Sequence, residues 1–192
     1  GARAAPAQRL PDDHDATEAG IAAALARSDV VILSGGVSVG PHDHVKPALA
    51  ALGVQELFWS VALQPGKPTW FGSLPSGPLV FGLPGNPVSA VVTFSLFVAP
   101  ALAGLQGAPA PRPPRPRALL GTDVTRNPRR EQAVRVRLES DGDGDHVRAF
   151  PNGAQGSHIL SSLLGADALA MIPLGEGHLA AGTMVALEAL SS

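Results

Sequence analysis

Asp29-Val30-Val31-Ile32-Leu33-Ser34-Gly35-Gly36-Val37-Ser38-Val39-Gly40 sets a short apolar run directly against a glycine-rich loop. A β-branched run of that length reads as a strand buried on both faces, as in a parallel sheet. Glycines let a backbone approach a ligand, and N–H groups near a helix N-terminus attract anions. Upstream, Asp15-Ala16-Thr17-Glu18 reads as a capping box that opens an alanine-rich helix to about Arg27. Downstream, Asp43 to Leu52 predicts a helix, with Pro47 tolerated in its first turn and Gly53 as its stop. Val54 to Val61 predicts the next strand, and Thr69 to Leu74 with Leu79 to Phe81 a hairpin-like pair across Pro75-Ser76-Gly77-Pro78. Gly82-Leu83-Pro84-Gly85-Asn86-Pro87 is a second glycine loop. It opens a long apolar helix to Leu105, with Asn86 as N-cap and Pro87 at its first position. Alternating helix, strand, loop and helix indicates an α/β layer fold. Two such loops on neighbouring strands would face one crevice at the strands' carboxyl ends.

The pattern changes after this helix. Gly107-Ala-Pro-Ala-Pro-Arg-Pro-Pro-Arg-Pro116 reads as a semi-rigid linker. Beyond it the period is two: Ala133 to Glu139 alternates, Asp141-Gly-Asp-Gly-Asp145 turns, and His146 to Phe150 returns. Asp167 to Ile172 and Thr183 to Leu190 supply further strands. The expected organisation is an α/β domain at 1–104, a linker at 105–117 and a small all-β, barrel-like domain at 118–192.

Composition narrows the function classes. The 192 residues are 45% hydrophobic, enough for a sizeable core, and the net charge is −2. Basic and acidic residues nearly balance in both halves, which argues against a nucleic-acid partner. With no cysteine, disulfides, thiolate zinc sites and cysteine nucleophiles are excluded, and a cytoplasmic location fits. No basic stretch followed by an apolar run marks a signal peptide at the start, and opening on Gly1 suggests a processed or truncated chain. The helix from Val88 contains Ser89, Thr93, Ser95 and Pro100 and lacks flanking charges. It reads as a buried helix and not a membrane span.

Several residues are candidates for chemistry. Lys46 and Lys67 are the only lysines, and Gln64-Pro65-Gly66-Lys67-Pro68 holds Lys67 in a stiff turn, where it can present a point charge to a phosphate or oxyanion. Asp43 follows the first glycine loop and is a candidate Mg²⁺ ligand or water-positioning group. His42 and His44 flank it but need not converge on a metal. Asp12 and Asp13 precede the first helix and also fit ordinary helix-start acids. Gln155-Gly156-Ser157-His158 reads as a structural turn or as a ligand contact made across to the other domain. Arg126, Arg129 and Arg130 read as a solvated loop.

Ser34-Gly-Gly-Val-Ser-Val-Gly40, Asp43, Pro65-Gly-Lys-Pro68, Gly82-Leu-Pro-Gly-Asn-Pro-Val-Ser89 and Gln155-Gly-Ser-His158, in that order, resemble the MoeA-type molybdopterin molybdenumtransferases, to which the E domain of gephyrin belongs. The resemblance implies a three-layer molybdopterin-binding α/β domain, here lacking its first strands, followed by a small β domain. It implies adenylylated molybdopterin and molybdate as substrates, release of AMP, assistance from Mg²⁺, a homodimer in the full-length form, and no nucleic-acid or membrane partner. Asp12, Asp43, Lys67 and Ser157 match residues of the family's catalytic site. Ser34, Gly35, Gly36, Val37, Ser38, Gly40, Pro65, Gly66, Lys67, Pro84, Gly85, Asn86, Pro87 and Ser89 match its ligand-binding loops, and Asp43 is its Mg²⁺ candidate. Ser60 and Gln64 stand where many members carry basic residues. Members are considerably longer, with two further upstream domains and a Thr-Gly-Asp-Glu-type segment that this chain lacks. Alternatives are a binding module without catalysis, a scaffold, and a molybdopterin adenylyltransferase; the β domain argues against the last. A sheet without its first strands would expose an edge and apolar surface.

Overall fold

The computed structural model describes residues 1–37, 44–108, 115–140 and 146–190. Most of the expected linker and the Asp141–Asp145 turn lie outside them. The first half runs α1 (His14–Leu25), β1 (Val30–Ser34), α2 (Val45–Ala51), β2 (Gln55–Trp59), β3 (Leu63–Gln64), β4 (Trp70–Ser73), β5 (Leu79–Leu83) and α3 (Pro87–Thr93). A π-helical turn at Phe94–Val98 then leads into α4 (Ala99–Leu105). The second half contains β6 (Arg117–Leu120), β7 (Val124–Thr125), β8 (Glu131–Ser140), β9 (Val147–Pro151), β10 (Ala168–Ile172), β11 (His178–Leu179) and β12 (Met184–Ala189). A 3-10 turn at Leu160–Leu163 lies between β9 and β10.

Local chemistry shapes the helix ends. The N-cap of α1 is Asp13, not Asp15: its backbone is extended, and its carboxylate accepts the Ala16 N–H at 2.8 Å. Asp15 falls instead in the first turn, where an acid complements the helix dipole. Asp13→Ala is expected to lower stability by about 1 kcal/mol, read as a lower thermal midpoint. An unchanged midpoint would mean water caps the helix equally well. At the other end of α2, the Gly53 N–H reaches Ala50 and the Val54 N–H reaches Leu49, with Gly53 at φ 78. That is a Schellman stop, which glycine adopts without strain. The long apolar helix is not uniform. Pro100 lacks the N–H that would bond one turn back, and Ala99 donates instead to Phe94, the wider π spacing.

The first sheet has the order β1-β5-β4-β2, with β1 parallel to β5 and the remaining pairs antiparallel. It ends at β1, where Ile32 is 43% exposed, so the expected free edge is present among the described residues. β2 carries a bulge between Glu56 and Phe58 and is shorter than expected, ending at Trp59 where Ser60 leaves the extended conformation at φ 71. In the second half, β10-β12-β6-β9-β8 closes on itself through an added β10–β8 pairing, which makes a five-stranded barrel. Its interior is filled by small and branched residues, among them Leu120, Val136, Ala149, Ala170 and Ile172.

Two features join the halves. β3 adds to the barrel beside β8, in parallel, with Leu63 opposite Glu131 and Gln64 opposite Gln132. Val88, Val92 and Leu96 on the apolar helix pack with Leu63 and the barrel residues Ala133, Leu169 and Met171. The stretch Pro87–Leu105 is long and apolar enough to cross a membrane, yet one of its faces fills this shared core. Leu63 stands immediately before the Gln64–Lys67 turn, so the same packing sets that turn against the barrel.

Candidate functional site

The two glycine loops emerge side by side from β1 and β5, where Ser34 is paired with Leu83. The Gly35 N–H bonds the Leu83 carbonyl at 3.1 Å, and Ser34 Oγ donates to the Pro84 carbonyl at 3.4 Å. A β-carbon on Gly85 would sit 3.5 Å from the Gly35 backbone, in ordinary van der Waals contact, so the two loops lie against each other. The contact divides the expected single crevice. Ser34, Gly35 and Gly36 line a cavity of about 470 Å³ together with Arg9, Asp12 and His44. Pro84, Asn86 and Ser89 line another, of about 440 Å³, with Pro65, Gly66 and Lys67. Asp12 therefore joins the first loop, and the second cavity brings Lys67 and Ser157 together without it. Val37, Gly85 and Pro87 border the loops without lining either cavity. Asp43, Ser38, Gly40 and His42 lie outside the described residues.

The Lys67 turn is built rigidly. The Gln64–Pro65 peptide is cis. Gly66 takes φ 123, and a β-carbon there would meet Thr93 Cγ2 at 2.5 Å, so the turn lies flush on α3. The Gly66 carbonyl accepts from Thr69 Oγ1 at 2.7 Å, and the Lys67 carbonyl accepts the Val61 N–H at 2.9 Å. Main-chain bonds thus hold the turn while the Lys67 side chain stays exposed. Ser60, at φ 71, lies outside the cavity lining, whereas Gln64 lines it and its Oε1 accepts from Asn127 Nδ2 at 2.6 Å.

The barrel supplies the other wall: Asn127, Arg130, Gln155, Gly156 and Ser157. Arg130 corrects the expectation of a solvated arginine loop. The β3–β8 pairing carries it, half-buried, to the cavity that Lys67 lines. Arg126 instead donates to the Glu176 carbonyl, with its Nε buried and unpartnered. Asn86 also departs from expectation. It stands at the N-cap of α3 without a capping side-chain bond, and its Nδ2 donates across to Ser157 Oγ at 3.2 Å. The second glycine loop and the Gln155–His158 segment therefore meet at one point.

The first loop has its own support. Val37 is buried, and its carbonyl accepts from Trp59 Nε1 at 3.1 Å, while Lys46 Nζ sits 3.6 Å from the Trp59 ring centroid. Among the described residues no three His, Asp or Glu side chains converge on a metal position. His14 and His44 meet only edge to face, at 6.1 Å.

The 440 Å³ cavity presents Lys67 and Arg130, with amides and the Ser89 and Ser157 hydroxyls around them and no carboxylate among the described residues that line it. That is chemistry for a small oxyanion. Residues 1–104 match the model of a probable molybdopterin binding domain, and 117–190 match the MoeA C-terminal region, domain IV. A molybdopterin molybdenumtransferase of Haemophilus influenzae is 37% identical over 180 residues, covering 93% of this chain and 44% of its own length. Gephyrin of Dictyostelium discoideum is 37% identical over 180 residues, 83% of this chain and 25% of its own. A crystal structure of the molybdopterin biosynthesis MoeA protein of Pyrococcus horikosii superposes with TM-score 0.76 at 31% identity, covering 95% of this chain and 42% of that one. The chain spans less than half the length of these relatives.

Proposed function

The chain belongs to the MoeA-type family of molybdopterin molybdenumtransferases, and from that premise we propose that it serves molybdenum cofactor biosynthesis, holding molybdate beside adenylylated molybdopterin for molybdenum insertion and AMP release. The observation that carries the proposal is the 440 Å³ cavity with two cations and, among the described residues, no carboxylate in its lining. A tetrahedral dianion placed there meets the Lys67 ammonium and the Arg130 guanidinium, and the neutral donors around them complete its hydrogen bonding. The neighbouring cavity, with the Gly35-Gly36 backbone on one wall, accommodates the nucleotide-linked pterin. Contact between the loops sets the two ligands next to each other, and such placement is itself a large part of a transfer reaction. Lys67 and Arg130 offset the negative charge that accumulates as the oxyanion and the phosphate approach.

Mg²⁺ belongs to the reading only through Asp43 and the family resemblance. The described residues offer Asp12 alone at the first loop, which does not make a magnesium site. A homodimeric cytoplasmic enzyme without nucleic-acid or membrane partners completes the proposal, and the near-neutral charge supports the lack of a nucleic-acid partner.

Calorimetric titration of molybdate into the chain tests the reading. Arg130→Ala is expected to weaken binding about tenfold, since hydrogen bonds to charged groups are worth about 1.5–3 kcal/mol. The loss should shrink as salt rises. Molybdate affinity indifferent to Arg130 would overturn the assignment. Molybdate binding without AMP release, once the upstream segment of the longer relatives is supplied, would favour a binding module.

A further inference from the structure

Arg135 is a buried charge that the proposed reaction does not use. It lies on β8 with 1% of its surface exposed. Its Nε donates to Ser162 Oγ at 3.1 Å, and its Nη2 to the carbonyls of Ala154 at 3.4 Å and Gly156 at 3.3 Å. These acceptors are all neutral, and the ion pairs among the described residues do not include Arg135. Desolvation accordingly pulls its pKa below the usual arginine range. Burying a guanidinium without a carboxylate is costly, and an apolar side chain of similar length would fill the same space more cheaply. The charge therefore calls for a role beyond packing.

The main chain of the same residue is tied to the same loop. The Arg135 N–H donates to Gln155 Oε1 at 2.9 Å, and its carbonyl accepts from Gln155 Nε2 at 3.1 Å and from the Asn152 N–H at 2.8 Å. One residue thus grips the 152–156 segment with both backbone and side chain. That segment leads to Gly156 and Ser157 on the wall of the anion cavity. A planar trans peptide sends its N–H opposite to its C=O. With the Gly156 carbonyl drawn in to Arg135, the Ser157 N–H points away from Arg135, on a residue that lines the cavity. No hydrogen bond among the described residues uses that N–H.

We propose that Arg135 is a positioning residue for the anion cavity: its fork draws the Ala154 and Gly156 carbonyls inward, so that the Ser157 N–H and Oγ face the bound oxyanion. The proposal rests on the oxyanion reading of that cavity. Arginine suits the task because a planar fork serves several acceptors in fixed directions, which an ammonium does not.

Molybdate titrations of the 192-residue chain test it as a double-mutant cycle. Arg135→Met is expected to weaken molybdate about tenfold, and Ser157→Ala added to it less than about twofold more, because both act through one loop. Lys67→Ala, on the opposite wall, is expected to multiply in full. Arg135→Lys, which keeps the charge and loses the fork, should remain weakened about threefold. If Arg135→Met does not fold, Arg135→Lys and Ser162→Ala, which removes the Nε acceptor, carry the same cycle. A residue that only stabilises the barrel would lower the thermal midpoint and leave the cycle additive. Additivity, or Arg135→Met binding within about twofold of wild type, overturns the proposal while the oxyanion reading stands. Molybdate affinity that Lys67→Ala leaves unchanged removes the oxyanion reading and the proposal with it.

Discussion

Lys67→Ala is expected to reduce molybdate-dependent AMP release by about 10²–10³-fold, the usual cost of deleting a pre-set group from a charge-stabilising site. The assay is AMP formation with the upstream segment of the longer relatives supplied. Of the chain's two lysines, Lys46 is engaged over the Trp59 ring, whereas Lys67 faces the oxyanion cavity. The turn that carries it is held by the Val61 N–H, by the Thr69 hydroxyl and by the close seat of Gly66 on Thr93, none of which involves the lysine side chain. Stability should therefore change by no more than about 0.5 kcal/mol, as for other exposed substitutions. Lys67→Arg keeps the charge but shifts its donors, so partial activity is expected. AMP release at the wild-type rate in Lys67→Ala would remove the proposed role of the cavity.

Trp70→Ala is expected to lower the unfolding free energy by about 3–5 kcal/mol. That is a large share of the roughly 5–15 kcal/mol available to a domain. Trp70 is 2% exposed and packs with Ile21, Val31, Val37, Leu49, Val54 and Val80, while its Nε1 donates to Glu56 Oε2 at 2.5 Å. Its ring lies over Gly72, where a β-carbon would come within 2.4 Å, so no side chain is at hand to fill the void. The effect should reach the site. Val37 of the first glycine loop belongs to the same buried cluster as the Trp70 ring. Removing the ring loosens the support under that loop, so weaker ligand binding in the first cavity accompanies the lower urea midpoint. Trp59, the remaining tryptophan, reports the transition by fluorescence. A loss below about 1 kcal/mol would contradict the packing described for this core.

What was legible in the sequence was the chemistry of single segments. Val30 to Leu33, then Ser34 and two glycines, announces a strand and a glycine loop where both occur, but β1 lies at the sheet edge and buries only Val31, not both faces as expected. Gly53 announces a helix stop, and Pro65-Gly66-Lys67-Pro68 a rigid turn. Where the reading went astray, a competing partner decided. Asp13 was free to cap α1 two residues before the expected box. Asn86 had a partner on the barrel that a capping argument cannot see. Arg130 resembled any loop arginine until β3 paired with β8.

The sequence by itself determined the order of elements, the period-two barrel strands and the two glycine loops, because glycine backbone freedom, capping and hydrophobic periodicity act within a few residues. The tertiary structure alone decided which loops share a cavity. It brought Ser157 to Asn86 across 71 residues and set Arg130 and Lys67 in one lining that holds no carboxylate among the described residues. It also split the expected crevice in two by laying Gly85 against Gly35. Those outcomes follow from how Val88, Val92 and Leu96 seat against Ala133, Leu169 and Met171. Packing between distant segments leaves no periodic trace in either one.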